Sequence, residues 1–142
     1  MKRFTILTAM LVLAFLVSAG FAQEAMQTDK APDTAYLVME DNTLNAAVMS
    51  GEISLKGGQD FKANKAVVVV VGPAVKALVH GSKMEPELKK AMDSGVRIVA
   101  CESAMKKMNV DPENLMEGVD KTPNGFFEIF KLEQKGYLTL QL

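Results

Sequence analysis

The chain has 142 residues with 16 basic and 17 acidic side chains, which gives a formal net charge of −1 at pH 7. It contains no tryptophan and only two tyrosines, so it offers neither the basic surface nor the aromatic stacking platform of a nucleic-acid-binding protein. Cys101 is the only cysteine, which excludes a disulfide within the chain and makes the fold dependent on its apolar core.

The first 22 residues have the pattern of a secretory signal peptide. Lys2 and Arg3 form a positive start, an apolar run covers residues 6–17, and Gly20 and Ala22 occupy the two positions that a signal peptidase reads. The run is shorter than the roughly 20 residues of a membrane-spanning helix. We therefore expect cleavage after Ala22, a periplasmic or otherwise exported protein, and no stable membrane span; the alternative is an uncleaved anchor.

The mature chain is predicted to begin with a flexible leader. Residues 23–34 are polar and carry scattered charge, whereas the apolar run 36–39 indicates a first buried strand. We therefore assign residues 35–142 to one folded domain. A helix follows the first strand, because apolar residues then recur at helical spacing: Leu44, Ala47, Val48, Gly51 and Leu55.

Two features indicate how the centre of the domain packs. Gly51 lies on the apolar face of the first helix, where a missing side chain predicts close packing onto a sheet. The run Val67–Val71 consists of five consecutive valines. A strand without polar alternation is buried on both faces, which is typical of the centre of a parallel sheet.

The second half of the domain continues the alternation of strands and helices. We predict a helical turn over 73–79, a helix over 85–94, a strand over 96–100 and a short helix over 102–107. A helical turn over 111–116, a short strand near residue 119, an amphipathic helix to residue 134 and a last strand over 137–142 follow. Two groups of apolar side chains on these helices are assigned to the core rather than to a metal or cofactor site: Met84, Met92, Met105, Met108 and Met116, and Phe126, Phe127 and Phe130. If the domain is trimeric, part of the phenylalanine group belongs to the interface instead.

This order of elements predicts an α/β fold. A mainly parallel sheet of about five strands should be covered by helices on both faces, which gives a three-layer α/β/α architecture.

Cys101 is the candidate functional residue. It lies between the predicted strand 96–100 and the next helix, and α/β folds place their chemistry at the carboxyl ends of such strands. The partial positive charge of a helix start favours a thiolate, and Lys106 or Lys107 one turn further along adds to this effect. The alternative is a small buried side chain without reactivity, because free cysteine is among the most buried residue types.

His80 is the only histidine of the chain. It either lines a cleft with Gly72 and Pro73 and exchanges protons there, or it is simply solvated in a polar loop. One histidine and one cysteine do not supply the four ligands of a structural zinc site. We therefore predict no metal and no cofactor.

The sequence around Cys101 resembles the DsrE/DsrF-like family. Residues 93–110 read DSGVRIVACESAMKKMNV, with a Gly-Val, a buried strand, a cysteine, an alanine and a basic pair in the family's order. Two further segments are similar to family members, VVGPAVKAL at 70–78 and NGF at 124–126, and the resemblance extends over roughly residues 35–142. Met108-Asn109 stands where relatives often have a glycine turn.

The resemblance implies a three-layer α/β domain that assembles as a homotrimer or homohexamer. In the sulfur-relay members, the cysteine that matches Cys101 carries sulfur as a persulfide and passes it between proteins. Those members are cytoplasmic, whereas this chain has a predicted export signal.

Two functional hypotheses follow. In the first, the protein is an exported sulfur carrier or sulfurtransferase-type protein that accepts sulfur on Cys101 and passes it to a partner thiol, with a sulfur donor or acceptor protein as its partner. In the second, it is a non-catalytic oligomeric binding or scaffold module in which Cys101 is buried and inert.

Overall fold

The computed structural model of the chain describes residues 30–142, so the predicted signal peptide and residues 23–29 of the predicted leader lie outside the described residues. In chain order, the described elements are β1 (Asp33–Val38), α1 (Asp41–Lys56), β2 (Lys65–Val70), a 3-10 helix (Gly72–Leu78), α2 (Glu85–Asp93), β3 (Val96–Cys101), α3 (Glu102–Met108), a second 3-10 helix (Pro112–Asn114), β4 (Asp120–Thr122), α4 (Gly125–Gln134) and β5 (Leu138–Gln141). This order is the predicted one. Because β1 begins at Asp33, the last two residues of the predicted leader belong to the sheet.

The strands form one parallel sheet in the order β4-β3-β2-β1-β5. β2 is the central strand, and its valines Val67–Val70 are all buried. The prediction that the valine run lies at the centre of a parallel sheet is therefore confirmed. Burial of both faces explains why this strand shows no polar alternation.

Helices cover both faces of the sheet. A Cβ placed on Gly51 of α1 would lie 3.4 Å from the Cβ of Ala66, and one placed on Gly125 of α4 would lie 3.2 Å from a methyl group of Val69. Ala66 and Val69 are three residues apart in β2, so their side chains point to opposite faces of the sheet. α1 and α4 therefore lie on opposite sides, and the predicted three-layer α/β/α architecture is confirmed.

The methionines behave as predicted. Met105 and Met116 are buried, and the others of this group pack against the core while partly exposed: Met84, Met92 and Met108. Within residues 30–142, we find no helix that combines the length and the apolar character needed to cross a bilayer.

The aromatic side chains of α4 do not lie in the core, and the prediction that placed them there is wrong. Phe126, Phe127 and Phe130 are 48%, 62% and 56% exposed. The face of α4 that packs on the sheet consists of small and aliphatic residues instead: Gly125, Ile129 and Leu132. Because α4 carries apolar residues on two faces, its hydrophobic periodicity alone does not say which face is buried.

Candidate functional site

Cys101 lies at the edge of the sheet where the carboxyl ends of the strands meet. It is the last residue of β3, and its extended backbone caps the start of α3. In the parallel pair of β3 and β4, Thr122 is the register partner of Cys101. The turn that follows Thr122 therefore brings the start of α4 next to the thiol, and two helices begin beside one sulfur atom.

The sulfur of Cys101 has two hydrogen-bond partners from these two helices. The backbone N–H of Gly125, the first residue of α4, donates to Sγ over 3.3 Å. The Oγ of Ser103, in the first turn of α3, lies 3.1 Å from Sγ. When the sulfur is a thiolate, it accepts from both groups, so the arrangement favours the charged form.

Asn124 leaves the N–H of Gly125 free for the sulfur. It is the N-cap of α4, and its Oδ1 accepts from the N–H of Phe126 over 3.0 Å and from that of Phe127 over 3.4 Å. The first four N–H groups at a helix start have no partner within the helix. Of the three that follow Asn124, two are bound by the cap and that of Gly125 points at Sγ.

The pKa of the Cys101 thiol is lowered from its ordinary value. Burial by itself raises the pKa, but the hydroxyl of Ser103 and the backbone N–H groups of Gly125, Ala104 and Ser103 stabilise the thiolate and together outweigh burial. A lowered pKa increases the fraction of thiolate at neutral pH, and the thiolate is the nucleophilic form of cysteine.

Gly125 is needed for this approach because a side chain would not fit. A Cβ at this position would lie 3.3 Å from the Cβ of Cys101 and 3.2 Å from a methyl group of Val69, and closer still to Val71. Any larger residue therefore has to push the start of α4 away from the sheet. The hydrogen bond to Sγ depends on the absence of that side chain.

A cavity of about 170 Å³ leads to the thiol. Its walls are mainly apolar and include Met39, Val71, Met108 and Phe126. Lys107 and Ser103 supply polar groups. The cavity is thus a small, mostly apolar space whose lining includes both Cys101 and one cationic residue.

Three further residues were candidates for a role beside Cys101, namely Lys106, Lys107 and His80, and the structure does not bring them together. Lys107 lines the cavity of Cys101, whereas Lys106 is not among its lining residues. His80 lines a different and larger cavity of about 540 Å³, and its Nδ1 lies 3.4 Å from the Oε1 of Glu85. Gly72 lines the cavity of Cys101, and neither Gly72 nor Pro73 is among the residues that line the cavity of His80.

Sequence reasoning did not identify Ser103 and Gly125 as partners of the sulfur. The position of Ser103 could have indicated its role, because a hydroxyl two residues after a cysteine that caps a helix lies in the first helical turn. Asparagine is a preferred N-cap residue, so the cap role of Asn124 follows from local sequence, but its relation to Cys101 depends on the pairing of β3 with β4. Among residues 30–142, no cluster of three or more His, Cys, Asp or Glu side chains is arranged to hold a metal ion.

These observations define a class of protein: a parallel α/β domain with a single thiol at the carboxyl edge of its sheet, bound by the starts of two helices. The chain belongs to the DsrE/DsrF-like family, whose model matches residues 12–142. The resemblance seen in the sequence is therefore confirmed. A comparison with curated proteins gave no match.

Three solved structures have a similar fold. MTH1491 from Methanobacterium thermoautotrophicum, described as a protein of unknown function, has a TM-score of 0.68 and 17% sequence identity, and the match covers 80% of this chain and 100% of that one. BT1422 from Bacteroides thetaiotaomicron, a conserved protein of unknown function, has a TM-score of 0.60 and 19% identity over 78% of this chain and 95% of its own. The ychN protein from E. coli has a TM-score of 0.61 and 12% identity over 78% and 99%. Because the sequence identities are this low, the three structures show only that this chain has a similar fold.

Proposed function

We propose that this protein is a sulfur carrier that accepts sulfur as a persulfide on Cys101 and passes it to a partner thiol. The observation that carries the proposal is the pair of contacts to Sγ, from the N–H of Gly125 at 3.3 Å and from the hydroxyl of Ser103 at 3.1 Å. Both favour a thiolate, which is the species that attacks sulfur. The chain belongs to a family that has sulfur-relay members, and this supports sulfur as the group that Cys101 transfers.

The reaction proceeds as thiol exchange. The Cys101 thiolate attacks the outer sulfur of a donor persulfide, R–S–SH; a new bond forms from Sγ to that sulfur, and the S–S bond of the donor breaks. The donor leaves as the thiolate R–S⁻ with the electron pair, and the proton stays on the transferred sulfur. An acceptor thiolate then attacks the same outer sulfur and regenerates the Cys101 thiolate. Such exchange is fastest when the pKa of the attacking thiol is near the ambient pH.

Mass spectrometry tests this proposal. The protein is incubated with a persulfide donor, and we expect a gain of one sulfur atom that maps to Cys101 and is removed by an acceptor thiol. Prior alkylation of the thiol, or the substitution Cys101→Ser, should abolish the gain. The proposal is wrong if the wild-type protein gains no sulfur and its thiol is inert to an alkylating reagent in the native state.

We also propose that the protein is exported and that it acts as a homo-oligomer. The pattern of residues 1–22 supports export, and N-terminal sequencing of the secreted or periplasmic protein should find Gln23 as the first residue. The exposed aromatic side chains of α4 support an oligomer, because a contiguous exposed apolar patch usually marks an interaction surface. The edge strand β5 adds Leu138 and Leu140, each 54% exposed.

A second candidate function has one observation in its favour. Cys101 is only 2% exposed, which also suits a structural thiol in a non-catalytic binding or scaffold module. That function predicts that Cys101→Ala leaves both the assembly and the cellular role of the protein intact. Loss of the cellular role with an intact assembly favours the sulfur carrier instead.

A further inference from the structure

The position of the sulfur limits which molecules reach it. Cys101 is 2% exposed, and the space in front of it has a volume of about 170 Å³. One water molecule occupies about 30 Å³ in the liquid, so this cavity holds only a handful of small groups. A cysteine persulfide on a folded protein has to bring its own backbone and neighbouring side chains close to the sulfur that it delivers.

The rim of the cavity opposes that approach. Phe126 lines the cavity and is 48% exposed, so its ring lies both at the wall and at the surface. Met108, another wall residue, is half-buried. We therefore expect a folded donor to contact these side chains before its sulfur comes within bonding distance of Sγ, and a short chain of sulfur atoms to reach the thiol with fewer such contacts.

The chemistry of the walls matches a particular kind of small molecule. Polysulfide anions combine a polarisable, weakly hydrated body with negative charge, and sulfur packs well against methionine and aromatic side chains. The cavity offers such walls in Met39, Met108 and Phe126. Lys107 is the charged residue among its lining residues, and the lining includes no carboxylate.

We propose that the direct sulfur donor to Cys101 is a small inorganic polysulfide anion, selected over the persulfide of a folded protein by the size of this cavity. This inference rests on the proposed function and specifies its substrate. The Cys101 thiolate forms a bond to the terminal, protonated sulfur of a hydrogen polysulfide anion, and the adjacent S–S bond breaks. The shortened polysulfide leaves as a dianion with the electron pair, and the proton remains on the new persulfide. No other oxidant or reductant takes part.

A comparison of two donors tests the inference. The full chain is mixed either with sodium tetrasulfide or with a folded sulfurtransferase that carries a persulfide on its active cysteine. The two donors supply equal concentrations of transferable sulfur. Mass spectrometry follows the gain of one sulfur atom at Cys101. We expect tetrasulfide to load Cys101 at least about tenfold faster, which corresponds to a modest difference in barrier height. Equal or faster loading by the protein donor overturns the inference but leaves the proposed function intact. If neither donor loads Cys101, the proposed function itself fails.

Two exposed phenylalanines provide a pair of variants. Phe126→Ala widens the cavity, so the advantage of tetrasulfide over the protein donor should shrink by at least about threefold. Phe61 is 40% exposed, lies in the loop between α1 and β2 and does not line this cavity, so Phe61→Ala should keep the wild-type ratio. Both side chains are largely outside the core, so both variants should fold. A ratio that is unchanged by Phe126→Ala contradicts the assigned role of the cavity wall.

Two adjacent lysines test the charge of the donor. Lys107→Gln should slow loading by tetrasulfide about threefold and weaken its dependence on salt, because the energetic contribution of one exposed charge is small. Lys106→Gln, which changes a lysine outside the lining, should have the smaller effect. The rate of tetrasulfide loading of each variant is divided by that variant's own rate of alkylation by neutral iodoacetamide, so that attraction of the anion is separated from any change in the thiol itself. An equal loss of tetrasulfide loading in both variants contradicts a specific role of Lys107.

Discussion

The backbone N–H of Gly125 donates a hydrogen bond to the Sγ of Cys101 over 3.3 Å, although 24 residues separate them in the sequence. The contact exists because β4 pairs with β3 and the turn after β4 returns the chain to the same edge of the sheet. It links the start of a ten-residue helix, α4, to the thiol. The partial positive charge at the start of α4 therefore acts on the sulfur, and the partial positive charge at the start of α3 acts on it as well.

Removal of the hydroxyl of Ser103 should make Cys101 less reactive. The Oγ of Ser103 lies 3.1 Å from Sγ and is the side chain that most lowers the pKa of the thiol. We expect Ser103→Ala to raise that pKa and to slow alkylation at neutral pH about three- to tenfold, since hydrogen bonds to charged groups are among the stronger ones. The pH dependence of the iodoacetamide reaction measures the effect.

The conservative variant Ser103→Thr serves as the control, because it keeps a hydroxyl at the same position. It should restore a pH profile close to that of the wild type. A profile in Ser103→Ala that coincides with the wild-type one would show that this hydrogen bond does not stabilise the thiolate.

A methyl group at Gly125 should affect stability and reactivity together. The Cβ of Gly125→Ala would lie 3.2 Å from a methyl group of Val69 and closer to Val71, so the start of α4 has to move outward. Overpacking of this kind costs about 1–3 kcal/mol. Urea denaturation should show the loss of stability, and the rate of Cys101 alkylation at neutral pH should fall because the N–H of Gly125 withdraws from Sγ.

Gly51 offers a matched control on the opposite face of the sheet. A Cβ there would lie 3.2 Å from a methyl group of Val96, so Gly51→Ala also tightens the packing of a helix on the sheet. We expect it to change stability but not the reactivity of Cys101. Equal changes in reactivity in both variants would mean that the thiol responds to general loosening of the fold rather than to the N–H of Gly125.

The sequence predicted the features that depend on local pattern. The run Val67–Val71 indicated the central strand because only burial on both faces explains its composition, and Gly51 indicated close packing because a small residue stood on an apolar helix face. The contact of Gly125 with Cys101 depends on which strands are neighbours, and neighbouring strands are not encoded in local pattern. Phe126 and Phe127 were misplaced for a similar reason, since α4 has two apolar faces and only the assembled sheet decides which one is buried.

The acid stability of the protein should depend on Glu85. Its carboxylate lies 2.7 Å from the Nζ of Lys89 and accepts the N–H of Gly81 over 2.6 Å. Lys89 and Gly81, with a smaller contribution from His80, lower the pKa of Glu85 to about 2, below the value of about 4.3 in an unfolded chain. The charged carboxylate therefore favours the folded state above the unfolded pKa, and this contribution is lost as the pH falls towards the folded pKa.

The substitution Glu85→Gln should reproduce that loss at neutral pH. Denaturant unfolding at a series of pH values should show the variant less stable than the wild type above about pH 5, with the difference closing as the pH approaches the folded pKa. Glu87→Gln changes a second acid in the first turn of the same helix and controls for the general effect of charge there. A difference between Glu85→Gln and the wild type that does not vary with pH would contradict the role of this carboxylate.

The exposed aromatic side chains of α4 should hold copies of the chain together. We define this surface by Phe126, Phe127 and Phe130, which are at least 48% exposed and lie within one and a half turns of one helix. If the surface is the contact between copies, Phe127→Asp should reduce the mass measured by sedimentation from that of an oligomer to that of a monomer, because a buried and unpaired carboxylate opposes association.

Phe61 provides the control for this variant. It is also exposed, at 40%, but it lies in the loop between α1 and β2, outside the aromatic surface of α4. Phe61→Asp should leave the sedimentation mass unchanged. Dissociation by Phe61→Asp, with none by Phe127→Asp, would assign the contact to the loop between α1 and β2 instead of α4. Because Phe126 also lines the cavity of Cys101, a contact through α4 would bring the second copy next to the thiol, so Phe127→Asp should also alter the rate at which Cys101 is alkylated.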